Sequence, residues 1–252
     1  MTTLPIAADT VFDSGIQRRA GTGVSVIVTL YNYSAYVMGA LESVREQTHP
    51  NLELIVVNDC SQDNSEALVR AWMDTHAARF ERALLLSNVR NYGLATSRNT
   101  GFHVARNDFV FVLDADNELY PRAVARLLTA CELAGAEAAY SQLEMFGEET
   151  GTGVAYTWSR ERFARRNYVD AMALVRKSAW AALGGYAHFE VAGWEDYDLW
   201  CRFVEQGYSA VFVPQILCRY RVHGPSMLRS ETNVNYGDVV SEMLVRHPWL
   251  RL

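Results

Sequence analysis

The chain has 252 residues, half of them hydrophobic and 12% aromatic, enough to bury a sizeable core in one large α/β unit. Lys and Arg number 23 against 29 Asp and Glu, a formal charge of −6, which argues against sequence-independent binding to a nucleic-acid backbone. No apolar run is long enough to span a bilayer, Met1 to Gly23 does not read as a signal peptide, and Cys60, Cys131, Cys201 and Cys218 are too scattered for a zinc site, so reduced thiols in the cytoplasm are expected.

In chain order, Val24–Leu30 (VSVIVTL) is the first predicted strand, and Ser34 is a candidate N-cap for a helix running to Glu46. Leu52–Val57 is a second strand, and Ser61 is a candidate cap for a helix carrying Ala67, Leu68, Ala71 and Trp72. Ala83–Leu86 is a short third strand, and Tyr92–Ala105 favours a helix after Gly93. Phe109–Leu113 is a fourth strand, with no apolar/polar alternation, as expected of a strand covered on both faces. This rhythm predicts βαβ units and a mostly parallel sheet.

The second half is less regular. A helix is expected from near Pro121 to Cys131, a strand over Ala136–Phe146, and a polar glycine-rich loop over Gly147–Gly153. Arg160, Arg162, Arg165 and Arg166 form a basic run, read either as a solvated helix face or as an edge that meets an anion. A strand at Ala171–Val175, a short helix ending at Gly184–Gly185, a helix over Glu195–Glu205, strands at Ala210–Val213 and Ile216–Tyr220, and a tail helix at Val239–Val245 complete the pattern.

Open parallel sheets bind ligands at the carboxyl ends of their strands. Those ends carry Leu30, Tyr31 and Asn32, then Asn58 and Asp59, then Asp114, Ala115, Asp116 and Asn117. The segment Asn91–Gly101, with Gly93 and Arg98, opens the intervening helix. Asp114 and Asp116 repel one another unless a cation lies nearby, and a divalent cation carrying phosphates suits two hard oxygen donors. An Asp-rich turn is the plainer reading of the same residues. Asp59, an acceptor when ionised, can take a hydrogen bond from a nucleobase or ribose, or simply organise a turn. Arg98 can offer forked donors to a diphosphate, or be an ordinary helix residue.

Taken together, VSVIVTLYN, LELIVVNDCSQDNS, NYGLATSRNTGF, FVFVLDADN and GWEDYDLWCRF resemble, in order and spacing, the GT-A fold glycosyltransferases of family 2, over roughly Val24 to Ser230. The resemblance implies a GT-A (Rossmann-like) α/β fold: a mostly parallel central sheet flanked by helices, with a smaller mixed acceptor-side region. It divides the chain into an N-terminal extension (1–23), a transferase domain (24–230, the nucleotide-sugar half being 24–118 and the acceptor half 119–230) and a helical tail (231–252). It implies an inverting enzyme that moves a sugar from a nucleotide-diphospho-sugar, with UDP- or dTDP-linked donors favoured, to a saccharide, lipid-linked or protein acceptor. No nucleic-acid partner is expected, and the location is cytoplasmic, with peripheral contact to the inner face of a membrane left open.

By the same resemblance, Asp116 and His223 bind a divalent cation, Mn2+ or Mg2+. Leu30, Tyr31, Asn32, Asp59, Asn91, Gly93, Arg98, Asp114 and Ala115 bind the donor nucleotide. Asp196 is the general base, and Trp194 and Glu195 contact the acceptor. For Glu195 and Asp196 the alternative is that they only complement the helix dipole. Three departures stand out: Leu30 where the family commonly has Pro, Asn58 where Asp is frequent, and Asn117 where a third acid is common. A catalytically silent nucleotide- or glycan-binding domain of a larger polysaccharide synthase is the alternative function.

Overall fold

A computed structural model describes residues 8–17, 20–190, 193–224 and 234–252. The elements in chain order begin with β1 (Ala8–Asp13), β2 (Val24–Leu30), α1 (Val37–Arg45), β3 (Leu52–Asn58), α2 (Ser65–His76), β4 (Arg82–Asn88), α3 (Leu94–Val104) and β5 (Phe109–Asp114). They continue with β6 (Glu118–Leu119), α4 (Ala123–Ala134), β7 (Ala138–Gly147), β8 (Gly151–Thr152), α5 (Arg160–Phe163) and β9 (Ala173–Arg176). The last are α6 (Lys177–Ala182), α7 (Glu195–Glu205), β10 (Ala210–Val222) and α8 (Tyr236–Arg246).

The strands form one sheet in the order β1-β4-β3-β2-β5-β9-β7-β10-β6, with β8 hairpinned onto β7. β4, β3, β2 and β5 are mutually parallel and form the centre. β9 then runs antiparallel between β5 and β7, and β10 is parallel to β7, so the second half of the sheet is mixed as expected.

Period-two side-chain alternation divides the buried strands between two cores. Val24, Val26, Val28 and Leu30 of β2, Leu52, Leu54 and Val56 of β3, and Phe109, Phe111 and Leu113 of β5 pack with α1, α2 and α4. Ile27, Ile55, Val57, Val110 and Val112 face the other way, against Phe102, Trp180, Leu199 and Trp200 from α3, α6 and α7. Each such side chain contributes about 1.5–3 kcal/mol by leaving water. Both faces being covered explains why the strands read as unbroken apolar runs.

Several local expectations need correction. Helix α1 starts at Val37 rather than after Ser34, whose backbone N–H instead bonds the Asp63 carboxylate at 2.9 Å. Helix α2 starts at Ser65, not after Ser61. Asp63 accepts from the Ser65 backbone N–H, and these bonds, against the cost of burial, hold its carboxyl down at about 2. The strands expected at Ala210–Val213 and Ile216–Tyr220 are one strand, β10. Its register against β7 shifts between Val213 and Ile216, so Pro214 sits in a bulge, where a missing N–H costs least. The loop at Gly147–Gly153 contains β8. Strands β1 and β6 were not anticipated; β1 closes the β4 edge, and Asp13 pairs with Arg82 at 2.7 Å.

The chain's last turn of structure bears on α7. His247, buried, lies between Asp198 at 3.1 Å and Glu205 at 2.7 Å, both on α7. Although burial opposes it, these carboxylates hold the imidazole above its ordinary value. The tail thereby fastens the helix whose first turn carries Glu195 and Asp196.

Candidate functional site

The parallel register sets Thr29 beside Asp114 and Leu30 beside Asn58, so the predicted strand ends share one edge of the sheet. Two loops there are laced together. Asn32, in the left-handed region at φ 55°, bonds through its N–H to Ser61 Oγ and accepts from the Gln62 N–H at 2.7 Å. The Leu30 carbonyl accepts from the Asp59 N–H at 2.8 Å, while Tyr31 projects outward, 42% exposed. Asp59 is buried. Its carboxylate accepts from Asn88 Nδ2 at 2.7 Å and from the backbone N–H groups of Tyr92 and Gly93 at 2.9 and 2.7 Å. Asn91 adds a second acceptor for the Gly93 N–H at 3.0 Å. Asp59 and Asn91 thus shape the loop that starts α3, and Gly93 takes φ 87° there, a conformation suited to glycine.

Asp114 is held from behind. Thr29 Oγ1 donates to it at 2.8 Å, and Arg98 Nη2 donates to both carboxylate oxygens at 3.1 Å. Arg98 is 3% exposed. Burial opposes its charge, yet Asp114 and further carboxylates at Glu195 and Asp196 leave its guanidinium more firmly protonated than usual. Arg98 is therefore the support of Asp114 rather than an open clamp. Arg98→Ala leaves that carboxylate without its cation, and a loss of ~3 kcal/mol is expected. A fall in melting temperature of roughly 6–12 °C by circular dichroism would register it.

The Ala115 N–H bonds the Thr29 carbonyl at 3.1 Å, and the chain turns so that Asp116 meets His223, Oδ2 to Nε2, at 2.9 Å. The residues are 107 apart in sequence and are joined because β10 returns alongside β6. Asn117 secures this return by accepting from the Arg221 N–H at 2.8 Å, and Arg221 Nε donates to the Asp116 carbonyl at 2.9 Å. The Tyr33 phenol faces Asp116, and the rings of Tyr33 and Tyr36 pack on His223. Burial, then the Asp114 charge, pushes the Asp116 carboxyl above its ordinary value. The Pro225–Ser226 end of the His223 motif lies outside the described residues.

A buried carboxylate and imidazole in contact fit a divalent cation. One or two protein ligands plus water and phosphate oxygens suit Mg2+ or Mn2+, and the imidazole favours Mn2+. Nδ1 of His223 is buried without a hydrogen-bond partner among the described residues. No group of three or more His, Cys, Asp or Glu among the described residues could hold a metal by itself, so water or the oxygens of a bound phosphate would have to complete the coordination.

Gly193 and Trp194 adopt positive φ to start α7. The Gly193 N–H donates to Glu195 Oε1 at 3.1 Å, and Glu195 is 5% exposed. Trp194 packs edge-on to Tyr197 and Tyr236. Asp196 accepts from Asn167 Nδ2 at 2.9 Å and from the Tyr197 N–H at 2.8 Å. Burial raises its carboxyl to about 6, with Arg98 opposing and Glu195 adding to the rise. The Tyr220 phenol, pushed above its ordinary range by burial, faces Asp170, Asp116, Asp114 and Asp196 together.

Asp170, Asn167 and Tyr220 are site residues that sequence reasoning missed. Strand β9 runs antiparallel to β5, so its N-terminal side, not its carboxyl end, reaches this edge. A search confined to strand carboxyl ends passes over Asp170, and a strand antiparallel to its neighbour would have had to be foreseen.

A family model described as Glycosyl transferase family 2 matches residues 25–190. The succinoglycan biosynthesis protein ExoO of Rhizobium meliloti is 34% identical over 122 residues, which are 48% of this chain and 33% of that protein. The chain spans about a third of that relative's length. Among solved structures, S. aureus TarS 1–349 in complex with UDP-GlcNAc superposes with a TM-score of 0.68 at 16% identity, over 83% of this chain and 61% of that one. The mannosyltransferase PcManGT from Pyrobaculum calidifontis, in complex with GDP-Man and Mn2+, gives 0.65 at 22% identity, over 81% and 58% of the two chains. These two likenesses establish the fold.

Proposed function

The chain belongs to glycosyl transferase family 2, and from that premise we propose that it transfers a sugar from a nucleotide-diphospho-sugar to an acceptor hydroxyl, with inversion, dependent on a divalent cation. The observation that carries this reading is the convergence of Asp114, Asp116 and Asp196 around one phenol, that of Tyr220.

Asp116 and His223 would hold the cation. When bound, it would neutralise charge on the departing diphosphate. Asp114, fixed by Arg98 and Thr29, would accept from the donor's ribose. Asp196, ionised, takes the proton from the acceptor hydroxyl as its oxygen bonds the anomeric carbon. The bond from that carbon to the diphosphate oxygen breaks, and the nucleoside diphosphate leaves on the opposite face. A carboxyl near 6 is mostly ionised at pH 7 and still basic enough to accept a proton, as general-base catalysis requires. Asn167 and the Tyr197 N–H set its direction. Trp194 offers an apolar ring face beside the base for an acceptor sugar.

UDP and dTDP are the favoured nucleotides, because each base presents an imide N–H. The ligands in the neighbouring structures, UDP-GlcNAc and GDP-Man, make GDP the necessary control. Among the described residues no helix is long and apolar enough to cross a membrane. A cytoplasmic enzyme using cytosolic nucleotide sugars, acting on a saccharide, lipid-linked or protein acceptor, fits the same reading.

Calorimetric titration with UDP, dTDP and GDP, with and without Mn2+, tests it. At least one nucleotide should bind, with affinity strengthened about tenfold or more by Mn2+ through charge neutralisation. Binding that ignores the metal, or none, would contradict the proposal. A silent domain of a larger synthase would instead bind with metal but hydrolyse no donor across a nucleotide-sugar panel.

A further inference from the structure

Asp170 is a carboxylate near Asp114 and Asp196 to which the mechanism above gives no task. It belongs to the segment 167–172 that leads into β9. Because Leu174 of β9 pairs with Phe111 of β5 in antiparallel register, the chain preceding β9 runs past the carboxyl end of β5, where Asp114 stands. Asn167 of the same segment donates to Asp196 at 2.9 Å. The segment thus stretches from the base on one side to Asp114 on the other. Asp170 Oδ1 accepts from the Met172 N–H at 2.8 Å, the one hydrogen bond recorded for its side chain among the described residues. The residue as a whole is half-buried.

We propose that Asp170 is a sugar-binding residue, whose carboxyl group hydrogen-bonds a hydroxyl of the sugar lying between the diphosphate at Asp116 and the base at Asp196, and so helps to select the donor. The inference rests on the glycosyl-transfer reading given above. Its chemistry suits the task. Asp170 is faced by Asp196 of α7, Asp114 of β5 and Arg98 of α3, with the Tyr186 phenol and, from β10, Tyr220 and Cys218 around it. Burial, then the Asp196 charge, raises its carboxyl to about 7. At that value the carboxyl is protonated part of the time near neutral pH. A carboxyl that is partly protonated can both donate to and accept from a hydroxyl, which an ordinary aspartate cannot. A purely structural role, turning the chain through the Met172 N–H, is the competing explanation.

The two separate in binding measurements on the full chain with Mn2+. Wild type, Asp170→Ala and Asp170→Asn are titrated with UDP and GDP as sugar-free references, and with UDP-glucose, UDP-galactose, UDP-GlcNAc and GDP-mannose. Cooperative thermal unfolding of each variant shows that it folds. Asp170→Ala should weaken the tightest nucleotide sugar by about 10- to 100-fold, the range for losing one hydrogen bond to a carboxyl group, while the matching bare diphosphate binds as before. Asp170→Asn, whose amide also donates and accepts, should recover most of the loss. Equal weakening of sugar-bearing and bare nucleotides, or unchanged affinity for both, would overturn the inference and leave the glycosyl-transfer reading standing. Failure of wild type to bind any of these six compounds, or dTDP and dTDP-glucose, would overturn both.

Discussion

Asp196→Asn is expected to lower turnover by ~10²–10⁴-fold, the usual contribution of a positioned general base, while nucleotide binding in Mn2+ stays within a few-fold of wild type. The amide keeps the shape and the bond from the Tyr197 N–H but cannot take a proton. In the native enzyme kcat/KM should fall tenfold per pH unit on the acid side, through the apparent value of about 6. The same substitution should stabilise the protein. The native carboxyl near 6 lies above its ordinary 3.8, so the folded state holds this proton more tightly than the unfolded chain. Its contribution is fully present below 3.8 and is lost as pH rises through 6. At pH 7.5 the ionised carboxylate therefore costs on the order of 2–3 kcal/mol, which the neutral amide avoids. Differential scanning calorimetry at pH 7.5 should show a higher melting temperature for Asp196→Asn, and the gap should close as pH approaches 4. Lower turnover with lower stability at pH 7.5 would point to a structural carboxylate instead.

Asp116→Ala should abolish the metal-dependent part of donor affinity. Outer-shell partners of metal ligands typically account for 10–100-fold in metal affinity, so removing a direct ligand should cost ~10²-fold or more. Calorimetry in Mn2+ and in EDTA should then give the same nucleotide affinity for the variant. Folding should change little, because two effects oppose each other. Loss of a buried carboxylate next to Asp114 relieves repulsion, whereas His223 loses its partner, a penalty of about 1–3 kcal/mol. Since the Asp116 carboxyl is raised, protons should compete with Mn2+, and wild-type metal affinity should fall as pH is lowered. A variant that retains the full Mn2+ effect would place the cation elsewhere.

The central fold was legible because its strands are buried on both faces. Val24–Leu30 and Glu195–Glu205 were bounded to the residue, and the Asp114–Asp116 turn was placed at the correct end of β5. The misplaced starts of α1 and α2 share a cause. Ser34 and Ser61 have the right chemistry for caps, but the loops they occupy bond to each other and to Asp63, and tertiary contacts outweigh the local preference. Strand β1 escaped because an edge strand needs only one apolar side, and β6 is two residues long.

Within the site, residue types were easier to read than their partners. Arg98 was readable as a cation near a diphosphate, but only the packing of α3 against the sheet shows that it lies beneath Asp114. Asp59 was readable as an acceptor, yet three donors from Asn88, Tyr92 and Gly93 already converge on it. The pairing of Asp116 with His223 depends on a strand return of 107 residues, which local pattern does not encode. Asp170 was invisible because nothing in Ala173–Arg176 announces a reversed strand.

Everything turns on the cation at position 116 and the base at position 196 flanking the same sugar. The direct measurement is carbon-13 NMR of protein labelled at its aspartate carboxyl groups, with the Asp196 resonance assigned by Asp196→Asn, in UDP plus Mn2+ or UDP plus Mg2+, or in the nucleotide that binds best. Paramagnetic Mn2+ should broaden the Asp196 carboxyl signal severely, and Mg2+ should leave it sharp. An Asp196 signal equally sharp with both metals, while the nucleotide is bound, would contradict the account.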